Sequence, residues 1–206
     1  MHFLRVSIDT GGSFLKVIVN VFVPDDDRNT KFSNSGVQKC QILAITEDVP
    51  ESYENLRMML EKLNLQGQVN FYLAFDLKSN SIFGFSSHSG KYACLWCEGT
   101  STCESGTLRT LGSLDLHYEN FVNMDCKKSK MQECKNLINP RILYRNEDPE
   151  TLIEKLVPPP ELHLMIGFVS HIRTQLLDLW PGFDEWLNQN NILQRGYQGR
   201  GWDGKN

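Results

Sequence analysis

The first 23 residues of the chain constrain its fold more than any other stretch. Phe3 to Ile8 has strand composition, and Asp9-Thr10-Gly11-Gly12 carries turn chemistry. Phe14 to Val23 is a long β-branched run with Val17, Val19, Val21 and Val23 on one face. Together these predict a β-hairpin with Asp9 at the end of its first strand. Every later element must be laid against that pair.

Pro24 to Gly36 is polar and includes Asp25-Asp26-Asp27, a charge run expected in a solvated loop. Val37 to Thr46 predicts a third strand. Asp48-Val49-Pro50-Glu51-Ser52 supplies helix-start chemistry, and Leu56, Met59, Leu60 and Leu63 follow at helical spacing, so a helix is expected to end near Gly67. Val69 to Phe75 reads as a fourth strand closed by Asp76, and Lys78 to Phe85 as a further helix. The expected order is β-β-β-α-β-α. A helical crossover lets strand four lie parallel to strand one, which would make Asp9 and Asp76 neighbours.

The second half is less regular. Ser87 to Glu104 is rich in Gly, Ser and Cys, and residues 115–150 are mixed and polar, with Lys127, Lys128, Lys130 and Lys135 among acidic neighbours. Pro158-Pro159-Pro160 is a firm break. Beyond it, Leu162, Met165, Ile166, Val169, Ile172 and Leu176 form a helical stripe over Glu161 to Leu179, ended by Trp180-Pro181. Phe183 to Leu193 predicts a shorter helix, and Gly196 to Asn206 a Gly-rich tail. The expected organisation is a core at 1–86, a Cys-containing insert at 87–157 and a helical segment at 158–206.

Composition narrows the function classes. With 21 Lys and Arg against 25 Asp and Glu, the net charge is −4, so the surface as a whole cannot act as a nonspecific polyanion binder. Any DNA contact must be local. No apolar run approaches the roughly 18 residues of a membrane span, and no secretory leader precedes the first strand, so no membrane association is expected. The cysteines at 40, 94, 97, 103, 126 and 134 are then expected in a reducing setting, intracellular and either nuclear or cytoplasmic. There a metal site plus free thiols is a better expectation than a disulfide framework.

Two groups of residues could carry chemistry. Carboxylates brought together from adjacent strand ends, as expected for Asp9 and Asp76, can hold Mg²⁺ and activate water or a hydroxyl against a phosphodiester. The structural alternative is that Asp9 stabilises its turn and Asp76 caps the element after it. Cys94-Leu95-Trp96-Cys97 has the C-x₂-C spacing of a zinc knuckle, half of a tetrahedral site. Cys103, His163 and His171 are the residues that could extend it, though a lone His on an apolar helix is more often packed than ligating. A redox role would call for a thioredoxin-like βαβ setting, which the Gly- and Ser-rich surroundings do not offer.

These features converge on a resemblance. Ser7-Ile8-Asp9-Thr10-Gly11-Gly12, a second strand-ending Asp76, and a C-x₂-C pair beginning 94 − 76 = 18 residues later resemble the RNase H-fold DDE transposases. The nearest likeness is to the Transib-like group that includes the catalytic subunit of the vertebrate V(D)J recombinase. Pro160-Glu161-Leu162-His163-Leu164 is similar to that group's Leu-His segment leading into a helix, and Tyr197 to Asn206 to its Gly-containing stretch. The resemblance implies an RNase H-like mixed sheet, Mg²⁺ at Asp9 and Asp76, Zn²⁺ at Cys94 and Cys97, and hydrolysis and strand transfer on DNA. The family's zinc-completing His pair and its helix-borne catalytic Glu have no counterpart here, and Glu161 lies too early for the latter. The expectation is a fragment, or a domesticated and shortened descendant, of a transposon protein that does not cut DNA alone.

Two other readings stand beside it. Ile8 to Val17 also resembles the first phosphate-binding hairpin of actin-like sugar and pantothenate kinases, where Asp9, Gly11 and Gly12 would turn around ATP phosphates. No second hairpin of that kind follows. The other is a non-catalytic module binding DNA or protein through Lys127 to Lys135 and aromatics such as Trp96, with the four Trp otherwise serving as core and helix-end anchors.

Overall fold

A computed structural model describes residues 3–11, 13–22, 40–65, 71–75, 77–89, 91–100, 106–159, 161–190 and 192. Alternation of apolar residues builds the hairpin: β1 (Phe3–Gly11) pairs antiparallel with β2 (Phe14–Phe22), with Val6 opposite Val19, Ile8 opposite Val17 and Gly11 opposite Phe14. Ser13, between the paired Gly11 and Phe14, has φ 69°, the left-handed backbone that tight hairpin turns use. The first strand therefore continues past Asp9, which sits inside it opposite Lys16 rather than at its end.

β3 (Gln41–Glu47) pairs antiparallel with β2, with a bulge where Val17 faces Ala44 and Ile18 faces Ile42. It forms the sheet edge and leaves Ile42, Leu43 and Ile45 exposed. The helix α1 (Tyr53–Lys62) begins at Ser52, whose side chain accepts from the Asn55 amide at 3.4 Å, and buries Leu56, Met59 and Leu60. It ends before the expected Gly67. The chain then enters β4 (Phe71–Phe75), parallel to β1, completing a mixed sheet in the order β3-β2-β1-β4.

One face of this sheet is the core. Val6, Ile8, Leu15, Val17, Phe71, Leu73 and Phe75 are buried with the apolar side of α1 and with Ile82, Phe83, Leu95, Leu111, Leu114, Leu137 and Tyr144 from the following segment. The expected helix over Lys78–Phe85 is a 3₁₀ segment, Leu77–Phe83, turned out of helical geometry at Gly84, where φ is +91°. The helix α2 (Leu111–Asn123), started by a reciprocal cap between Thr110 and Ser113, runs into the stretch 115–150 that reads as mixed and polar. A short α3 (Ile153–Leu156) follows. Arg141 and Asp115 make a two-pronged ion pair at 2.8 and 2.9 Å, and Arg141 also donates to the Tyr144 carbonyl.

Residues 1–158 form one compact unit and 159–206 another. The second contains α4 (Glu161–Leu179), with the bounds its stripe predicts, and α5 (Phe183–Gln189). Arg173 bonds Asp184 at 2.5 Å, and the rings of Trp180, Phe183 and Trp186 lie 5.5 to 6.0 Å apart. Trp180 and Trp186 are nonetheless substantially exposed, so neither is a core residue. Among the described residues, no helix is long and apolar enough to cross a membrane.

Candidate functional site

The parallel register of β1 and β4 sets Ile8 opposite Phe75, and each is the residue immediately before one of the two aspartates. Ile8 and Phe75 both turn inward to the core, whereas Asp9 is exposed. Side chains alternate along a strand, so Asp9, after the buried Ile8, belongs to the opposite face of β1. Asp76 itself lies outside the described residues, as do Gly12 of the glycine hairpin and Cys103.

The cysteine loop is built on a narrow hairpin. The Glu98 amide donates to the Thr107 carbonyl and the Arg109 amide to the Trp96 carbonyl, both at 2.9 Å, with Cys97 bridged to Leu108. The strands approach so closely at Gly106 that a Cβ there would fall 2.1 Å from the Gly99 nitrogen. Between the cysteines, Leu95 is fully buried and the Trp96 indole donates to the Val157 carbonyl at 2.7 Å. Trp96 is thus pinned by its polar end and packed against the core, and is no exposed anchor.

Cys94 and Cys97 bring their sulfurs to 3.3 Å, with the Cys97 thiol donating to Cys94. Burial pushes the Cys94 thiol above its ordinary range. Two thiolates on one tetrahedral zinc, with Zn–S near 2.3 Å, stand about 3.8 Å apart. The pair needs to open by only about half an ångström to meet that spacing, so its geometry fits two ligands of such an ion. Among the described residues, no three His, Cys, Asp or Glu side chains are gathered to hold a metal. His171 is exposed on α4, and the side chains of His163 and Glu161 are outside the described set.

Three participants carry no sequence signal of their own. Arg109 is fully buried, its Nε donating to the carbonyls of Cys94 at 3.1 Å and Cys97 at 3.0 Å. Glu98, beside Cys97, accepts from or pairs with His117 of α2 at 2.8 Å. Burial lowers the Arg109 pKa, while Glu98 and the two cysteines work against that shift. The spacing of Cys94 and Cys97 marked the loop, but nothing in it pointed to residues 109 or 117. No family model, curated protein or solved structure matches the chain.

Proposed function

We propose that the chain is a transposon-derived domain of RNase H-like fold, related to metal-dependent DNA strand-transfer enzymes. In this reading Asp9 and Asp76 are the Mg²⁺ carboxylates, and Cys94 and Cys97 are two ligands of a structural Zn²⁺. The observation that carries it is the parallel pairing of β1 with β4, in which Ile8 faces Phe75 one residue ahead of each aspartate. Divalent ions held by such a pair activate an attacking water or hydroxyl and stabilise the leaving oxygen of a phosphodiester. The chain's own contribution is to present Asp9 from a strand whose opposite face is locked in the core.

Metal binding is the step to measure, because it precedes any chemistry on DNA. Titration of the full chain with Mn²⁺, followed by electron paramagnetic resonance, is expected to show bound ion. Asp9→Asn and Asp76→Asn should each weaken it about tenfold or more, as expected when one of two charged ligands is lost. Equal binding by the wild type and both variants ends the two-carboxylate reading.

A second reading, a DNA-binding module without catalysis, draws on a different observation. Tyr92 is flanked by two cations, Lys135 Nζ at 4.3 Å and Lys91 Nζ at 5.3 Å from its ring centroid. This is the local combination of charge and aromatic surface that a chain of net charge −4 needs to touch a phosphate backbone.

A further inference from the structure

A buried guanidinium is costly unless its donors are met, and those of Arg109 that find partners, Nε and Nη2, are spent on one short loop. Nε bridges the carbonyls of Cys94 and Cys97, Nη2 reaches the Tyr92 carbonyl at 3.5 Å, and the guanidinium carbon lies 5.0 Å from the Phe85 ring centroid. Nη1 is buried and has no hydrogen-bond partner among the described residues. Three carbonyls spread over six residues converge on a single group only if the chain curls around it. That curl turns the side chains of positions 94 and 97 toward each other, which is the 3.3 Å approach of their sulfurs. A Cβ at Gly99 would lie only 3.3 Å from the Cys97 sulfur, so the glycine leaves that atom uncrowded.

We propose that Arg109 is the positioning residue of the Cys94–Cys97 pair, its buried guanidinium gathering the carbonyls of Tyr92, Cys94 and Cys97 so that both sulfurs address one soft divalent ion. This rests on the zinc reading above. Arg suits the role because its planar fork meets several acceptors at fixed angles, which a lysine ammonium, a point charge on a flexible stem, does not.

The test is a titration of the reduced full chain with Co²⁺, read by the thiolate-to-cobalt charge-transfer band. A Cys94→Ser/Cys97→Ser double variant serves as the blank for the other cysteines. Arg109→Met is expected to weaken Co²⁺ binding about 10–100-fold and to shift the band, the usual cost of losing a group that orients a ligand. Arg141→Met removes another buried guanidinium of the same unit, one paired with Asp115, and should leave affinity and band unchanged. Should circular dichroism show Arg109→Met unfolded, Arg109→Lys carries the test, with a loss of about tenfold expected. Binding by the folded Arg109 variant equal to wild type overturns the positioning role and leaves the zinc reading intact. An equal loss in Arg141→Met also overturns it, because the effect would then be one of general stability. A wild-type chain with no band above the blank overturns both.

Discussion

Removing the hydroxyl of Tyr144 should destabilise the whole 1–158 unit, and the penalty should vanish at high pH. Tyr144 comes from the irregular segment beyond α2, yet it is 6% exposed, and its ring centroid lies 5.0 Å from that of Phe71 in β4 and 6.2 Å from that of Phe83. Its hydroxyl donates to the Phe71 carbonyl at 3.0 Å. Its backbone is left-handed, at φ 59°, a cost that Phe at the same position would share, so Tyr144→Phe isolates the hydroxyl. Loss of a buried hydrogen bond that leaves its acceptor unmet costs about 1.5 kcal/mol. For a unit of this size that lowers the melting temperature by about 3–6 °C.

Burial pushes the Tyr144 phenol well above its ordinary value of 10, with Glu147 and Tyr72 adding to the shift. The folded state therefore favours the proton, and the stability this gives is complete below pH 10 and lost as the pH rises beyond it. The wild type should lose about 1.4 kcal/mol relative to Tyr144→Phe on reaching pH 11, roughly closing the gap. Urea unfolding of both proteins at pH 7 and pH 11, followed by circular dichroism and tyrosine fluorescence, measures each part. A variant as stable as wild type at pH 7, or a gap that persists unchanged at pH 11, refutes the reasoning.

Two further substitutions test local structure. Gly84→Ala should cost about 3 kcal/mol, because the backbone has φ +91° and the new Cβ would fall 2.0 Å from the Asn139 carbonyl oxygen. A denaturation midpoint within error of wild type would contradict that. Ser52→Ala should cost about 1 kcal/mol through loss of the α1 cap, and the Asn55 amide should exchange with solvent faster.

The parts of the fold legible in the sequence are mostly those whose side chains report directly on burial. Alternation over the buried Leu15 and Val17 marked β2, whereas α4 was legible from periodicity alone, since Met165, Val169 and Ile172 of its stripe are exposed. The Asp-Thr-Gly-Gly sequence reads as a four-residue turn, which places Asp9 at a strand end. In the structure Thr10 and Gly11 still pair with Leu15 and Phe14. α2 was obscured because Gly112, Ser113, His117 and Asn120 are indifferent helix formers. It forms through its cap, through the burial of Leu111, Leu114 and Phe121, and with Gly112 fitted against Pro149. The Lys78–Phe85 segment tightened where Ser79, Asn80 and Ser81 come in succession, residues whose side chains compete with the helix for backbone partners. At the site, the cysteine pair was legible and Arg109 was not. Its partners are backbone carbonyls, which every residue possesses and no sequence pattern records.

That difference bears on how the cysteine loop relates to the sheet. An appended zinc knuckle would fill its C-x₂-C spacer with small or polar residues and could be removed without touching the core. Here the spacer is Leu95 and Trp96, the first fully buried with Leu111 and Leu114 in the same core cluster as the sheet residues, the second hydrogen-bonded to Val157. Arg109, beneath the loop, is continued by Thr110, the cap of α2, and its own carbonyl accepts from the Ile153 amide at the start of α3. A metal that fixed Cys94 and Cys97 would therefore hold Leu95, Trp96 and the entry to α2 in place at once. Binding free energy at the loop would stabilise the sheet core as a whole, by about 2.7 kcal/mol at a hundredfold excess over the dissociation constant. Strands β1 and β4 are part of that core, so an ion held at the cysteine loop would also steady the strand that carries Asp9.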